Sequence, residues 1–238
     1  MTAPLPPRPS LLPRCLRLLR EDLKVVADRD PAVRSRGEAL LAPFLPALWL
    51  HRPASGLHAR GHRVTARVLS LVGRFLSGGV DIHPGARVGR RLFIDHGAAV
   101  IIGEDAVIGD DVTLYHQVTI GAIGWWRDRH RLPGERRHPT LGDRVVVGAG
   151  ASVLGPVRIG DDSLVGAHAL VMADVPAGSR VWAPRSEVHP RGKPAAVRAA
   201  AGTEAAADGT ANGTTNMTAN VTTNVTAKAT AKRKRGGL

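Results

Sequence analysis

The sequence predicts an α+β protein in which an N-terminal helical segment is followed by a parallel β-helix of hexapeptide repeats. Apolar residues recur at helical spacing from Leu11 to about Ser77, and aliphatic residues recur every six positions from 80 to 176. After about residue 190, small polar residues without a core-forming pattern are typical of disorder. The predicted divisions are a Pro-rich lead at 1–10, a helical domain at 11–79, a β-helix domain at 80–190 and a basic low-complexity tail at 191–238.

The helical segment shows its apolar spacing in two runs. These are Leu12, Leu16, Leu19, Leu23 and Val26, and then Val64, Val68, Leu71, Val72 and Phe75. Between them, Asp30 and Pro31 predict the start of a helix. An aspartate can cap free backbone N–H groups, and a proline suits the first helical turn.

The hexapeptide period runs in three blocks separated by two breaks. The blocks are Ile82, Val88, Ile94 and Val100; Ile102, Ile108, Leu114 and Ile120; and Leu141, Val147, Val153, Ile159, Val165 and Val171. Extra residues in a solenoid leave the wall as a loop, and loops on a rigid scaffold are where sites are usually built. The first break contains Asp95 and His96, and the second contains Trp125, Trp126, Arg137 and His138.

Composition and charge narrow the class of function. The net charge is +13, much of it in the tail, and aromatic residues make up 3% of the chain without being interleaved with basic ones. This pattern disfavours nucleic-acid binding as the main role. Cys15 is the single cysteine, and the apolar stretch at 39–50 contains two prolines and is too short to span a bilayer. We therefore expect a soluble, cytoplasmic protein without a signal peptide, a membrane partner or a specific nucleic-acid partner.

The Asp–His pair at the first break suggests acid–base chemistry. An imidazole has an unperturbed pKa of about 6.5, so at neutral pH it can accept a proton from an alcohol. The other ring nitrogen needs an acid to hold it in place. Asp81 and Asp95 are the candidates for that acid.

Three motifs in order, DIHP at 81–84, DHG at 95–97 and RHP at 137–139, resemble those of the serine O-acetyltransferases. The resemblance covers about residues 20 to 180 and implies that the coil is left-handed. It also implies transfer of the acetyl group of acetyl-CoA to the hydroxyl of L-serine, which gives O-acetyl-L-serine and CoA in cysteine biosynthesis.

The same resemblance assigns roles to six side chains. His96 corresponds to the general base, and Asp81 to the carboxylate paired with it. Asp30 and Asp95 correspond to the acids that hold the substrate amine, while Arg137 and His138 correspond to the groups that bind its carboxylate. These roles are chemically coherent, since a zwitterionic substrate needs acids for its ammonium and cations for its carboxylate.

Acetyl-CoA is the expected co-substrate, and no metal is expected. The candidates for the backbone donors that stabilise the oxyanion are Gly121 and Ala122, where the family often has two glycines. We expect the pantetheine arm to lie near Gly148, Ala149, Gly150 and Ala151. Trp125 and Trp126 either cover the CoA site or pack on a neighbouring subunit.

The family forms trimers with sites shared between subunits. Because only about seventy residues precede the coils, we expect a homotrimer rather than a hexamer. Members commonly end in an isoleucine that enters the active site of cysteine synthase. Leu238 is a loose match to that residue, so a cysteine synthase complex is a possible partner.

Three alternatives remain open from the sequence. Another hexapeptide O-acetyltransferase, with homoserine, a sugar or a xenobiotic as acceptor, would share the chemistry of His96. A γ-class carbonic anhydrase needs three zinc-binding histidines, but no third histidine closely follows His83 and His116. A non-catalytic scaffold with a basic tail is disfavoured because the candidate acid, base and cationic residues are all present.

Overall fold

The computed structural model describes residues 11–132 and 134–184. The Pro-rich lead and the tail predicted to be disordered lie outside these residues. Four helices come first: α1 at Leu11–Arg29, α2 at Arg36–Leu40, α3 at Leu45–Ala59 and α4 at Arg63–Leu76. In the described part of the chain, none of the helices is both long enough and apolar enough to cross a membrane.

In the described residues, fourteen short strands follow and form the three parallel sheets of a β-helix. One sheet contains β1 (Asp81–Ile82), β4 (Ile101–Ile102), β7 (Thr119–Gly121), β10 (Ser152–Leu154) and β13 (Leu170–Val171). The second contains β2 (Arg87–Val88), β5 (Val107–Ile108), β8 (Thr140–Leu141) and β11 (Arg158–Ile159). The third contains β3 (Phe93–Ile94), β6 (Thr113–Leu114), β9 (Val146–Val147), β12 (Leu164–Val165) and β14 (Arg180–Val181).

Most repeats bury two side chains inside the coil. The predicted aliphatic at the strand is one, as at Ile108 and Leu114, and the residue two positions earlier is the other, as at Ala106 and Val112. Val100 belongs to this second set, because it precedes Ile102 by two positions. The six-residue interval from Ile94 to Val100 therefore joins two different positions of the repeat, and the first regular block ends at Ile94.

The first break is an insertion of two residues at one corner of the coil. Ile94 is paired with Leu114, and Ile101 with Thr119, so six residues separate the strands in one coil where four do in the next. Ala99 aligns with Gln117, since both have left-handed backbone and precede the buried Val100 and Val118. The inserted residues are then His96 and Gly97, with φ values of 60° and 64°.

The helix start predicted at Asp30 and Pro31 is wrong. Helix α1 ends at Arg29, and the Asp30 amide still donates to the Val26 carbonyl, at 2.9 Å. The next helix begins at Arg36 and is capped by the hydroxyl of Ser35. Asp30 therefore follows the end of one helix, and Pro31 prevents that helix from continuing.

Candidate active site

A cavity of about 240 Å³ lies where the segment between α1 and α3 meets the first coil. Its lining includes Phe44 and Phe93, whose rings pack edge to face with centroids 5.8 Å apart. Three of the predicted site residues line it. The full lining is Asp30, Val33, Glu38, Leu41, Ala42, Pro43, Phe44, Phe93, Ile94, Asp95 and His96.

Arg29 fixes the end of α1 on the β-helix and so places Asp30 at the cavity. Its guanidinium donates to the Val112 carbonyl at 3.2 Å, the Thr113 hydroxyl at 2.8 Å and the Asp111 carbonyl at 3.0 Å. It also forms an ion pair with the Asp111 carboxylate at 3.1 Å. Asp30 itself is oriented by a local turn, in which its Oδ1 accepts the Ala32 amide at 2.8 Å.

Asp95 and His96 differ sharply in how they are held. The Asp95 amide donates to the Leu114 carbonyl at 2.8 Å, so Asp95 is still part of the coil ladder. His96 is the first inserted residue, and 73% of its side chain is exposed. Its Nε2 lies 3.7 Å from Asp95 Oδ2, so the imidazole stands at the rim of the cavity beside a carboxylate.

His116 is a second imidazole at this corner. Its ring centroid lies 5.7 Å from that of His96. Its Nδ1 is buried and has no hydrogen-bond partner among the residues that the structure describes. From the sequence, His116 stands out only as a candidate zinc ligand, because its position on the coil next to that of His96 depends on the strand register.

Within one chain, Asp81 lies against α4, and its pairing with His96 stays a prediction because the family shares its sites between subunits. Its carboxylate pairs with Arg74 at 3.2 Å and with Arg67 at 3.5 Å, both on α4. Within residues 11–132 and 134–184, no hydrogen bond or ion pair joins Asp81 to His96. Among the described residues, Asp95 is the acid that lies within 4 Å of the His96 ring, at 3.7 Å.

Arg137 and His138 do not line the cavity, and each is bound by acidic residues of its own chain. The Arg137 guanidinium bonds Glu104 at 2.5 Å and lies 3.6 Å from Asp128. The Asp105 carboxylate accepts both backbone amides, from Arg137 at 2.8 Å and from His138 at 3.0 Å, and it also bonds His138 Nδ1. Burial alone would raise the pKa of Asp105, but these donors together hold it below its ordinary value.

The residues predicted to contact CoA are fixed by coil stacking. A β-carbon at Gly148 would lie 2.6 Å from the Ala167 amide nitrogen, and one at Gly150, where φ is +67°, would lie 2.6 Å from His168 Nδ1. Ala149 accepts the His168 amide through its carbonyl, and Ala151 is fully buried in the core. These four positions are therefore constrained by the packing of one coil on the next. Gly121 ends β7, and Ala122 is half-buried directly after it.

The second break carries a short helix, α5, at Trp125–Asp128. Trp125 and Trp126 are 64% and 57% exposed, and their rings meet edge to face with centroids 6.2 Å apart. The Arg129 guanidinium lies over the Trp125 ring, 4.4 Å from its centroid. Both tryptophans lie in this loop, as the sequence predicts, and in one chain they are open to solvent.

Three side chains of types that can bind a metal ion lie close together, but two of them already form other hydrogen bonds. His58, His83 and Glu104 each bring one ligand atom within 4.8 Å of the others. However, His83 Nδ1 accepts the Gly85 amide at 3.1 Å, which favours the tautomer with its proton on Nε2. Glu104 is the partner of Arg137. The donor set as it stands supports hydrogen bonding rather than a cation.

Comparison with known proteins identifies the family. Residues 138–173 match the model of the bacterial transferase hexapeptide (six repeats). The serine acetyltransferase of Helicobacter pylori is 51% identical over 162 residues, which are 68% of this chain and 90% of that protein. The chain belongs to the serine acetyltransferase family.

Two solved serine acetyltransferases extend the comparison to structure. That of Neisseria gonorrhoeae in complex with serine has a TM-score of 0.63 and 34% identity, covering 71% of this chain and 66% of its own. That of Brucella abortus in complex with coenzyme A has a TM-score of 0.64 and 33% identity, covering 74% and 67%. This chain therefore spans about two thirds of each of these two proteins, and the left-handed β-helix predicted from the family resemblance is confirmed.

Proposed function

We propose that this protein is a serine O-acetyltransferase, which transfers acetyl from acetyl-CoA to the hydroxyl of L-serine and releases O-acetyl-L-serine and CoA. The observation that carries the proposal is the convergence of Asp30, Asp95 and His96 on one cavity. Asp30 lies 65 positions before Asp95 in the sequence, and His96 follows directly. The family resemblance assigns all three to the same substrate. The relatives' complexes with serine and with coenzyme A support both substrates.

In the proposed mechanism, His96 is the general base. Its imidazole takes the proton of the serine hydroxyl as the oxygen attacks the thioester carbon. The tetrahedral intermediate places negative charge on the former carbonyl oxygen, and backbone amides at Gly121 and Ala122 are its proposed donors. Collapse breaks the carbon–sulfur bond, and the imidazolium returns its proton to the leaving thiolate of CoA. Asp95 supports the transient imidazolium, because its carboxylate lies 3.7 Å from Nε2.

Serine recognition in this proposal divides between two surfaces. Asp30 and Asp95 hold the ammonium, and their carboxylates give the cavity the negative charge that a cation needs. Arg137 and His138 hold the carboxylate. Within one chain they do not line the cavity, so we assign them to the cavity of a neighbouring subunit in a homotrimer.

Helix α4 supports assembly through its outer face. Six of its apolar side chains are between 43% and 85% exposed, and they are Val64, Val68, Leu71, Val72, Phe75 and Leu76. A stripe of this size on a single helix is unusual for a monomer surface and typical of an interface. In our proposal a second copy of this chain covers it.

The remaining context follows from the activity. The reaction is a step toward cysteine that consumes acetyl-CoA, and we propose that it takes place in the cytoplasm. A complex with cysteine synthase through Leu238 stays a prediction, since that residue lies outside the described structure. An acceptor other than serine, such as homoserine, a sugar or chloramphenicol, is the alternative within the same chemistry.

The decisive experiment follows thiol release from acetyl-CoA with L-serine, D-serine, homoserine and chloramphenicol as separate acceptors. We expect turnover with L-serine and little with the others. Turnover with another acceptor alone would retain acetyl transfer and refute the serine assignment. A lack of turnover with every acceptor would favour the non-catalytic scaffold.

A further inference from the structure

Glu38 lines the candidate site but has no role in the chemistry above. It lies at the third position of α2, where its amide donates to the Ser35 hydroxyl at 3.2 Å. Its own carboxylate accepts the Arg34 amide at 2.6 Å. These two hydrogen bonds close a short loop, residues 34–38, at the start of α2.

The closed loop ends the turn that carries Asp30. Between the end of α1 and the start of α2, the turn has few bonds of its own: the Val33 amide reaches the Asp30 carbonyl at 3.3 Å, and the Ala32 amide reaches Asp30 Oδ1 at 2.8 Å. Arg29 fixes one end of the turn on the coil. Glu38 fixes the other end through Arg34.

We propose that Glu38 is a positioning residue for the acceptor, which holds the turn at 30–35 closed so that Asp30 stays opposite Asp95 and His96. The inference rests on the proposed function, because it concerns the same acceptor site. Glu38 acts through its hydrogen bond to the Arg34 amide. Its charge is secondary, since the carboxylates of Asp30 and Asp95 already face the cavity.

Two substitutions separate the hydrogen bond from the charge. Glu38→Gln keeps an oxygen that can accept the Arg34 amide, whereas Glu38→Ala removes it. We expect Glu38→Ala to raise the KM for L-serine about fivefold, the scale of one lost capping interaction, with kcat and the KM for acetyl-CoA unchanged. Glu38→Gln should restore the KM for L-serine to within about twofold of the wild-type value.

A matched control is Asp174→Ala. Asp174 also caps a backbone amide, that of Arg158 at 2.8 Å, but it does not line the cavity. The Asp174→Ala substitution should therefore leave the KM for L-serine unchanged. An equal rise of KM in Glu38→Ala and Glu38→Gln would show that charge acts directly, and an unchanged KM in both would show no role; either result overturns the proposal.

Hydrogen exchange of the peptide covering 30–38 gives a readout that does not depend on activity. We expect faster exchange in Glu38→Ala than in the wild type or in Glu38→Gln. Equal exchange in all three would overturn the positioning role. A wild-type protein without serine turnover would refute the proposed function separately, whatever the exchange shows.

Discussion

Gly103 and the imidazole of His138 occupy neighbouring coils so closely that a β-carbon at position 103 would overlap the ring. The Gly103 amide donates to the Ile120 carbonyl at 2.9 Å, which fixes it in the coil ladder. His138 is held from its other side by Asp105. A glycine at 103 is therefore what allows the buried ring of His138 to pack directly against the coil at this point.

Gly103→Ala should displace the His138 ring. We expect a loss of about 1–3 kcal/mol in the free energy of unfolding, as for overpacking in a core, and a raised KM for L-serine. Urea unfolding and steady-state kinetics would measure both. The matched control is Gly37→Ala, where the added carbon meets only the Ser35 hydroxyl at 3.8 Å. A Gly103→Ala enzyme with wild-type KM would contradict the role given to His138.

His96→Asn tests the general base without disturbing the backbone. Asparagine tolerates the left-handed conformation that His96 adopts at φ 60°, but it cannot take up a proton. We expect kcat to fall by about 10²–10⁴-fold, the usual contribution of a general base. His168→Asn is the control, since His168 is also exposed and left-handed, at φ 57°. Similar kcat values in the two variants would rule out His96 as the base.

Gly97→Ala tests whether the inserted corner must keep its shape. The position has φ +64°, and the new carbon would lie 3.4 Å from the Phe44 amide nitrogen beside the cavity. We expect about 1–2 kcal/mol of destabilisation from the left-handed backbone, together with weaker acceptor binding. Gly78→Ala, at φ +69° with open space around it, should lose similar stability and keep the KM for L-serine. Equal KM values for L-serine in the two variants would show that the shape of this corner does not affect acceptor binding.

Phe75→Glu tests the assembly proposed for α4. The ring is 85% exposed in one chain, so the substitution should leave the monomer folded and disfavour burial against a second copy. We expect the mass measured by light scattering to fall from that of a trimer toward that of a monomer. Leu132→Glu, at an exposed apolar position outside α4, should leave the mass unchanged. A trimer that survives Phe75→Glu would exclude this face.

The period of the β-helix could be predicted because each repeat obeys one rule, that the aliphatic at the strand points into the coil. Ile82, Ile108 and Leu141 are buried as that rule requires. The break at His96 was also visible, since two inserted residues shift every later repeat. The sequence period does not show which residues of successive coils lie next to one another. The proximity of His96 and His116 follows only from the strand register.

The helical segment was harder to predict because long-range contacts decide it. Asp30 looks locally like a helix cap, but the bonds of Arg29 to the coil around Asp111 fix it as the residue that follows a helix. The partners of Asp81 are another case, since Arg67 and Arg74 reach it from α4. Sequence spacing carries no information about such pairs, because each depends on where two elements dock.

His51 makes stability depend on pH. Burial chiefly, and the nearby charge of Arg52, lower the pKa of its imidazole to about 4 in the folded protein, against about 6.5 in the unfolded chain. Between these values the unfolded state binds the extra proton, so stability is complete above pH 6.5 and falls as the pH drops toward 4. Other groups also titrate there, so His51→Gln should flatten this part of the curve, by up to about 3 kcal/mol at pH 4. Urea unfolding from pH 7.5 to 4 measures the slope, and the exposed His168→Gln should leave it unchanged. An identical slope in His51→Gln and the wild type would show that the buried imidazole is not the group responsible.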